Sequence, residues 1–369
     1  LNLSGDCLFE SAVEGEAAAA ITSVNCFALD LYEHLQKEEG NLVFSPLSIA
    51  TGLAMTYAGA AGETADEMAD VLHLGADPGI HSSYRAMLGS FSEPLDLLNG
   101  YELALANAIW PNAGLSVRED FVRTIRDQYG GEAQRLDYSD PDQAKEIINS
   151  WVEEKTRDRI KDLIGDLSPL TAMVLTNSIY MKALWEMPFP NATPANSTFY
   201  RDDGEAIEAT MMYTQANVSS TTLDDFQIME MPFKGGKSSM VFILPQERNG
   251  PNELTQELLV KVNDWLETPR QIPEWSEVVL PKFKTTVSAK LETLLPEMGM
   301  PLAFSGRADF SAMTDTHVYI DKVTHKAFLE VTEQGIEAAA ATAVELVACF
   351  AAGTPVLTPG GEKPIEDLK

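Results

Sequence analysis

The sequence has no long uninterrupted apolar run and few basic residues. Its apolar stretches, such as the one around residues 17–32, are broken by polar side chains, so none reaches the roughly 18 residues of a membrane helix. Lys and Arg number 26 against 56 Asp and Glu, which gives a formal net charge of −30. Because such a polyanion is repelled by phosphate backbones and anionic lipid, we expect neither nucleic acid nor a membrane as a partner.

Cysteine is scarce, and the histidines are scattered. Cys7, Cys26 and Cys349 show no C-x-x-C spacing, so this odd, sparse set does not indicate a disulfide framework or a zinc site. The motifs H-E-x-x-H, G-x-S-x-G and G-x-G-x-x-G are all missing. We therefore predict no metal, no cofactor and no enzymatic active site.

The residues that are present predict a globular α+β protein. Apolar residues make up 45% of the 369-residue chain, and their spacing predicts an amphipathic helix over residues 14–36. Ser45 followed by Pro46 predicts the start of a second helix, with the serine as N-cap. The largely apolar run 173–182 predicts a strand covered on both faces. Helical patterns come early and strand patterns late, so we predict one interlocked domain over residues 1–348.

The stretch 325–350 contains two incompatible patterns. Residues 337–343 are nearly all alanine, a good helix former. The same residues alternate at period two, as a strand does. One interpretation is a surface helix followed by a short strand, and the other is a segment that is a loop in one state and a strand in another. The apolar face of the alternation comprises Ile336, Ala338, Ala340, Thr342, Val344 and Leu346.

A series of spaced motifs resembles the serpin family of serine protease inhibitors. The resemblance runs from about residue 25 to residue 348, and the motifs occur in the family's order. They are NLVFSPLSI (41–49), LAN (105–107), INSWV (148–152), TNSIYMK (176–182), EMPFKGG (230–236), LPKF (280–283), ADFS (308–311) and HKAF (325–328).

The resemblance implies a fold of three β-sheets and eight or nine helices, with an exposed reactive-centre loop at about residues 333–350. The family's native state is metastable. A target protease cleaves the loop, which then enters the main sheet as an added strand and carries the acyl-enzyme with it. The chain is thus expected to be a monomeric suicide-substrate inhibitor that forms a covalent complex with a serine endopeptidase, or with a cysteine one. Cleavage is expected to raise thermal stability sharply.

Glu333 and Gly335 resemble the hinge of this loop. The apolar face carries only small or uncharged side chains, whereas an unpaired charge buried there would cost several kcal/mol and slow insertion. This pattern favours an inhibitor over a non-inhibitory relative. Glu337 and Glu345 fall on the opposite face and are expected to stay in water. Ile336 stands where the family's inhibitors usually carry Thr or Ser, and we expect insertion to tolerate it.

Four polar residues resemble the family's cluster beneath the point where the sheet opens, namely Ser45, Ser48, Asn177 and His325. Such a network holds the central strands together and can exchange partners when they part. The same residues also fit satisfied polar groups of an ordinary core. Trp185 resembles the tryptophan where the loop first enters, and it equally fits ordinary packing. None of these residues is expected to be catalytic, since no nucleophile motif accompanies the histidine.

The scissile bond is expected between Cys349 and Phe350, from the family's usual loop length counted from the hinge. Leu346, Ala348 and Phe350 are alternatives for the residue before the bond. Ala348 suits an elastase-like or subtilisin-like pocket, and Leu346 or Phe350 a chymotrypsin-like pocket. Cysteine is small and uncommon at this position, so it indicates no single class of protease.

The end of the sequence departs from the serpin pattern. Residues 349–369 resemble the opening block of a Hint module, in which Cys349 would be the nucleophile of an N-to-S acyl shift. The family's closing strands are missing from the sequence, so we expect unpaired sheet edges. A non-inhibitory binding or chaperone protein and the cargo of a self-processing precursor are the alternative functions. No signal peptide is visible, and an extracellular or periplasmic location is expected.

Overall fold

The computed structural model describes most of the chain. The described residues are 7, 9, 14–37, 40–75, 79–91, 100–190, 195–201, 204–246, 254–268 and 274–348, together with two short strands at 355–358 and 361–364. No helix in these ranges is long and apolar enough to cross a membrane.

Helices dominate the first half of the chain, as the sequence predicts. Within the described ranges there are eight: α1 (Ala18–Leu35), α2 (Pro46–Tyr57), α3 (Gly62–Val71), α4 (Ile80–Phe91), α5 (Glu119–Tyr129), α6 (Pro141–Lys155), α7 (Gln256–Glu267) and α8 (Leu294–Met298).

Strands dominate the second half. They are β1 (Tyr101–Pro111), β2 (Glu132–Ala133), β3 (Thr171–Leu184), β4 (Ala195–Tyr200), β5 (Ala206–Leu223), β6 (Phe226–Pro232), β7 (Ser239–Pro245), β8 (Glu274–Pro281), β9 (Phe283–Lys290), β10 (Val318–Val331), β11 (Gly335–Ala348), β12 (Pro355–Thr358) and β13 (Gly361–Pro364).

Six strands form the large sheet, in the order β2-β1-β3-β11-β10-β9. Neighbouring strands are antiparallel except β1 and β2. The long strand β5 joins two smaller sheets, because its first part pairs with β4 and β8 and its last part with β6, which pairs with β7. Strands β12 and β13 form a separate hairpin. Mixed sheets with eight helices agree with the predicted α+β architecture.

Helix α2 runs beneath the centre of the large sheet and begins as predicted. The Oγ of Ser45 accepts a hydrogen bond from the backbone N–H of Ser48 at 3.3 Å, and Pro46 is the first helical residue. Nine consecutive residues from Ser48 to Thr56 are buried. A helix that is apolar on nearly every side is stable only inside a core, which explains this central place.

Two hydrophobic layers cover the two faces of the large sheet. One layer contains side chains of α1 to α5, among them Phe27, Leu53 and Ile125. The other contains side chains of α6 and of the segment 156–170 that connects α6 to β3, with Ile148, Val152 and Ile164. Strand β3 is therefore buried on both sides along most of its length, as its apolar sequence predicts.

Strand β7 forms one edge of its sheet. In the described part of the chain this strand pairs with β6 alone. Most of its side chains are only half-buried, and Leu244 is 60% exposed. An edge strand with exposed apolar groups is a ready acceptor for another strand.

Cys7 and Cys26 form a disulfide, which joins the segment before α1 to the helix itself. The odd, sparse cysteine set does not predict this disulfide. Cys26 is buried on the inner side of α1. Cys349 lies outside the described residues.

The disulfide predicts a definite count of free thiols. In protein purified without reductant, titration of the denatured chain with a thiol reagent should detect one cysteine, and three after reduction, because only Cys349 is left unpaired. The variant Cys349→Ser should give no signal before reduction. Three reactive thiols in the unreduced wild-type protein would show that the disulfide does not form.

Candidate functional site: the inserted strand and its contacts

The segment with two conflicting sequence patterns is a β-strand, β11, in this structure. It lies between β3 and β10 and pairs antiparallel with both along nearly its whole length. The period-two pattern therefore prevails over the helix propensity of the alanines, because the neighbouring strands supply backbone partners on both sides. That the same segment is an exposed loop in another state stays a prediction.

The face predicted to enter the sheet lies toward α2, and it is buried. Thr342, Val344 and Leu346 are fully covered, Ala340 is nearly so, and Ile336 is 9% exposed. Ala338 is half-buried. The opposite face is also buried in its middle, since Ala339, Ala341 and Ala343 pack in the layer formed by α6 and the segment 156–170. Alanine on both faces lets the strand fit beneath this layer.

The entry end of the strand has no room for a side chain at Gly335. A Cβ atom added there would lie 2.0 Å from the backbone oxygen of Ala183 and 2.7 Å from the Cα of Leu184. Neither backbone atom can move without disturbing β3. Glycine is thus required at position 335, where the first residue of β11 pairs with Leu184 at the end of β3.

Trp185 lies directly beside the start of β11. Its indole N–H donates to the backbone oxygen of Thr332 at 3.0 Å, and its backbone N–H donates to that of Gln334 at 3.0 Å. The ring stacks on Phe233 with centroids 4.8 Å apart. A fully buried tryptophan with both N–H groups engaged by the residues before Gly335 fixes where β11 begins.

The two acidic residues near the hinge are both paired. The Nζ of Lys282 donates to Glu333 at 2.9 Å, and this hydrogen bond lowers the pKa of the carboxyl. Glu337 accepts hydrogen bonds from Arg159 at 2.5 Å and from the hydroxyl of Tyr180 at 2.7 Å. Burial alone would raise the pKa of Glu337, but these two donors outweigh it and hold the pKa below its usual value.

The expectation that both glutamates of the outer face stay in water is wrong for Glu345, and it holds only in part for Glu337, whose side chain is 14% exposed. The change is larger for Glu345. Its side chain is 2% exposed. Lys322 of β10 is its cationic neighbour, with Nζ 3.5 Å from the carboxylate. The alternation of the sequence places this residue on the correct face, but it does not reveal that the segment 156–170 covers that face.

A buried polar network joins the inserted strand to its neighbours. The backbone N–H of Ser45 donates to Nε2 of His325 at 3.1 Å. That nitrogen must be an unprotonated acceptor, so the proton of the ring sits on Nδ1, which lies 2.9 Å from the hydroxyl of Thr342. Burial lowers the pKa of His325 to about 3, which keeps the ring neutral.

From Thr342 the hydrogen bonds continue in one direction. Its hydroxyl accepts from His325 and donates to Ser48, 3.0 Å away. The hydroxyl of Ser48 donates to Oδ1 of Asn177 at 2.5 Å. The amide of Asn177 donates to Asn107 at 2.8 Å, and Asn107 donates to the backbone oxygen of Tyr129 at 2.8 Å. Thr342 supplies the central link, with each donor used once.

The network contains all four polar residues predicted from the resemblance, and two members that were not assigned to it. Thr342 was predicted only as part of the inserting face. Asn107 stands opposite Asn177 in the register of β1 and β3, so pairing the LAN and TNSIYMK motifs could have found it. Nothing in the sequence indicates Arg159, Tyr180 or Lys322 as partners of the loop.

The residues predicted at the scissile bond are only partly within the described structure. Cys349 and Phe350 lie outside the described residues. The alternatives Leu346 and Ala348 are at the far end of β11, where Leu346 is fully buried and Ala348 is half-buried beside Leu170, whose carbonyl accepts its N–H. The expected role of these residues in cleavage stays a prediction.

Comparison with known proteins identifies the family. The serpin (serine protease inhibitor) family model matches residues 22–358, which is most of the chain. The chain therefore belongs to the serpin family. An uncharacterized serpin-like protein of Thermococcus kodakarensis is 39% identical over 338 residues, covering 90% of this chain and 78% of that protein.

Two further similarities are informative. A leukocyte elastase inhibitor of Xenopus tropicalis is 33% identical over 338 residues, covering 88% of this chain and 89% of that protein. The structure of reactive loop cleaved human thyroxine-binding globulin superposes with a TM-score of 0.81 at 28% identity, covering 89% of this chain and 99% of that one. The family thus includes proteins named for inhibition and proteins named for ligand binding.

The polar network predicts a specific effect of Thr342→Val, which keeps the shape of the side chain but removes its hydroxyl. Ser48 and His325 would each lose a buried partner, at about 1–3 kcal/mol per unsatisfied group. We expect a lower free energy of unfolding for the protein with an inserted loop, measured by denaturant titration. Thr342→Ser should retain most of the stability. Equal loss in the two variants would assign the effect to packing and not to the network.

Proposed function

We propose that this chain is a suicide-substrate inhibitor of an endopeptidase, in the first place one of the serine class. The observation that supports it is strand β11. The segment that the sequence predicts as a bait loop fits between β3 and β10 with paired backbone on both sides and with one polar side chain, Thr342, completing a buried network.

The reaction would begin as ordinary peptide hydrolysis. The serine Oγ of the protease attacks the carbonyl carbon of the residue before the scissile bond, and the peptide nitrogen leaves, protonated, as a new amino terminus. The ester of the acyl-enzyme then sits at the carboxyl end of the loop. Insertion of the 14 residues of β11 moves this ester by about 46 Å, at roughly 3.3 Å per residue.

Such a displacement would pull on the ester, which is still bonded to the protease, and so distort the geometry of the protease active site. Deacylation needs the ester, a water molecule and the oxyanion-hole donors within hydrogen-bonding distance of one another. Insertion supplies the free energy through two rows of backbone hydrogen bonds and through burial of Val344 and Leu346. Insertion competes with deacylation, so any feature that slows insertion of β11 favours simple hydrolysis of the loop.

A second candidate is a non-inhibitory binding protein. Ile336, the first residue that pairs with both neighbouring strands, and the buried carboxyl of Glu345 are two features that could slow insertion. The similarity to a thyroxine-binding globulin is consistent with such a role. In this case the loop would be cleaved and inserted without trapping the protease.

The two candidates differ in the product formed with a protease. An inhibitor incubated with a panel of serine and cysteine endopeptidases should yield a complex that survives denaturing electrophoresis. A binding protein should yield only the cleaved chain. Mass spectrometry of the released fragment would identify the scissile bond and decide between Cys349, Ala348, Leu346 and Phe350 as the residue before it.

The variant Ala340→Glu tests whether insertion of β11 is what traps the protease as a stable complex. Ala340 is 5% exposed and lies on the face toward α2, so a carboxylate there would have to be desolvated before the strand closes. We expect cleavage to persist while the stable complex is lost. Ala340→Ser is the matched control and should still form the complex. A stable complex with Ala340→Glu at the wild-type yield would refute the proposal that insertion traps the protease.

A further inference from the structure

The two glutamates on the outer face of β11 meet different surroundings. Glu337 at the entry end accepts hydrogen bonds from Arg159 and Tyr180. Glu345 at the far end is 2% exposed, and among the described residues the one cation close to it is the ammonium of Lys322 at 3.5 Å. That ammonium is shared, because it donates to the backbone oxygen of Asp166 at 2.6 Å.

In the part of the chain that the structure describes, the other charged groups that face Glu345 are acidic. Asp321 from β10 and Glu292 from the segment after β9 both disfavour a second negative charge. The phenol of Tyr138, which precedes α6, is buried close by, and β3 contributes the apolar side chain of Val174 opposite. The site thus offers one shared cation against two further carboxylates.

In an exposed loop the carboxyl of Glu345 is surrounded by water, so entering the sheet removes it from solvent. Burial raises its pKa to about 7, and the nearby Lys322 only partly opposes this effect. Because that pKa in the sheet exceeds the ordinary value for a glutamate, the carboxyl takes up a proton as the strand closes. The associated stability is complete below the ordinary pKa and is lost as pH rises through about 7.

We propose that closure of the far end of β11 is an acid-favoured step, in which Glu345 enters the sheet as a neutral carboxyl and Lys322 positions it. The proposal rests on the loop insertion of the proposed function. It adds a condition to it: the inhibitor would complete its conformational change more readily in a mildly acidic medium than in an alkaline one.

Glu337 provides an internal control on the same strand. Its pKa is lowered, so it stays ionised between pH 5 and pH 8 and its contribution is constant across this range. His325 affects wild type and variants alike, because its surroundings are the same in all of them. A pH dependence within this range that differs between wild type and Glu345→Gln can therefore be assigned to Glu345.

The test compares thermal unfolding midpoints of the cleaved and the uncleaved full chain at pH 5 and pH 8, for wild type, Glu345→Gln and Glu337→Gln. We expect the cleaved Glu345→Gln protein to match wild type at pH 5 and to exceed it by several degrees at pH 8. Cleaved Glu337→Gln should be lowered by the same amount at both pH values. Lys322→Gln should lower the unfolding midpoint of the cleaved protein further at pH 8, because the ionised carboxyl of Glu345 then loses the ammonium beside it.

Two results would overturn the proposal, and they are distinguishable. If cleavage raises the midpoint but the difference between wild type and Glu345→Gln is the same at both pH values, the acid-favoured step is wrong while insertion stands. If cleavage raises the midpoint of no variant at either pH, then insertion itself fails, and with it both this inference and the proposed function.

Discussion

The large sheet depends on one steric constraint, which is that fourteen residues must fit between two strands and beneath covering layers on both faces. Helix α2 lies on one side of β11, and α6 with the segment 156–170 lies on the other. Only small side chains fit in the middle of such a strand, hence the run of alanines from 338 to 341. At Gly335 even a single Cβ would collide with the backbone of β3. Larger apolar groups appear only toward the two ends, at Ile336 near the start and at Val344 and Leu346 near the far end.

The strand has three polar side chains with different roles. One specifies the register of the strand, and the other two are ionisable carboxyls whose surroundings differ. Thr342 is the register element, since its hydroxyl links His325 to Ser48 and a shift of one residue would place alanine there. Glu337 and Glu345 lie at the two ends of the opposite face. The first is held by strong donors, whereas the second is buried beside a shared lysine. One strand thus combines a fixed centre with ends of different electrostatic character.

Much of this could be predicted from the sequence, because it rests on local pattern or on motifs. The period-two face of residues 336–346, the N-cap at Ser45 and the apolar strand 173–182 all follow from neighbouring residues. The burial of Glu345 could not be predicted, since it depends on a segment that is distant in the sequence crossing the outer face. The disulfide between Cys7 and Cys26 and the pairing of Arg159 with Glu337 are likewise products of tertiary structure. Spacing alone contains no signal for them.

The central claim is that residues 335–348 exchange between an exposed loop and the central strand. Hydrogen–deuterium exchange of the amides of this segment, before and after cleavage by a protease, tests it most directly. We expect rapid exchange before cleavage, and afterwards strong protection from residue 336 to residue 347, where β11 pairs with both neighbours. Unchanged exchange of these amides, whether rapid or slow in both forms, would contradict the account, because the segment would then have only one state.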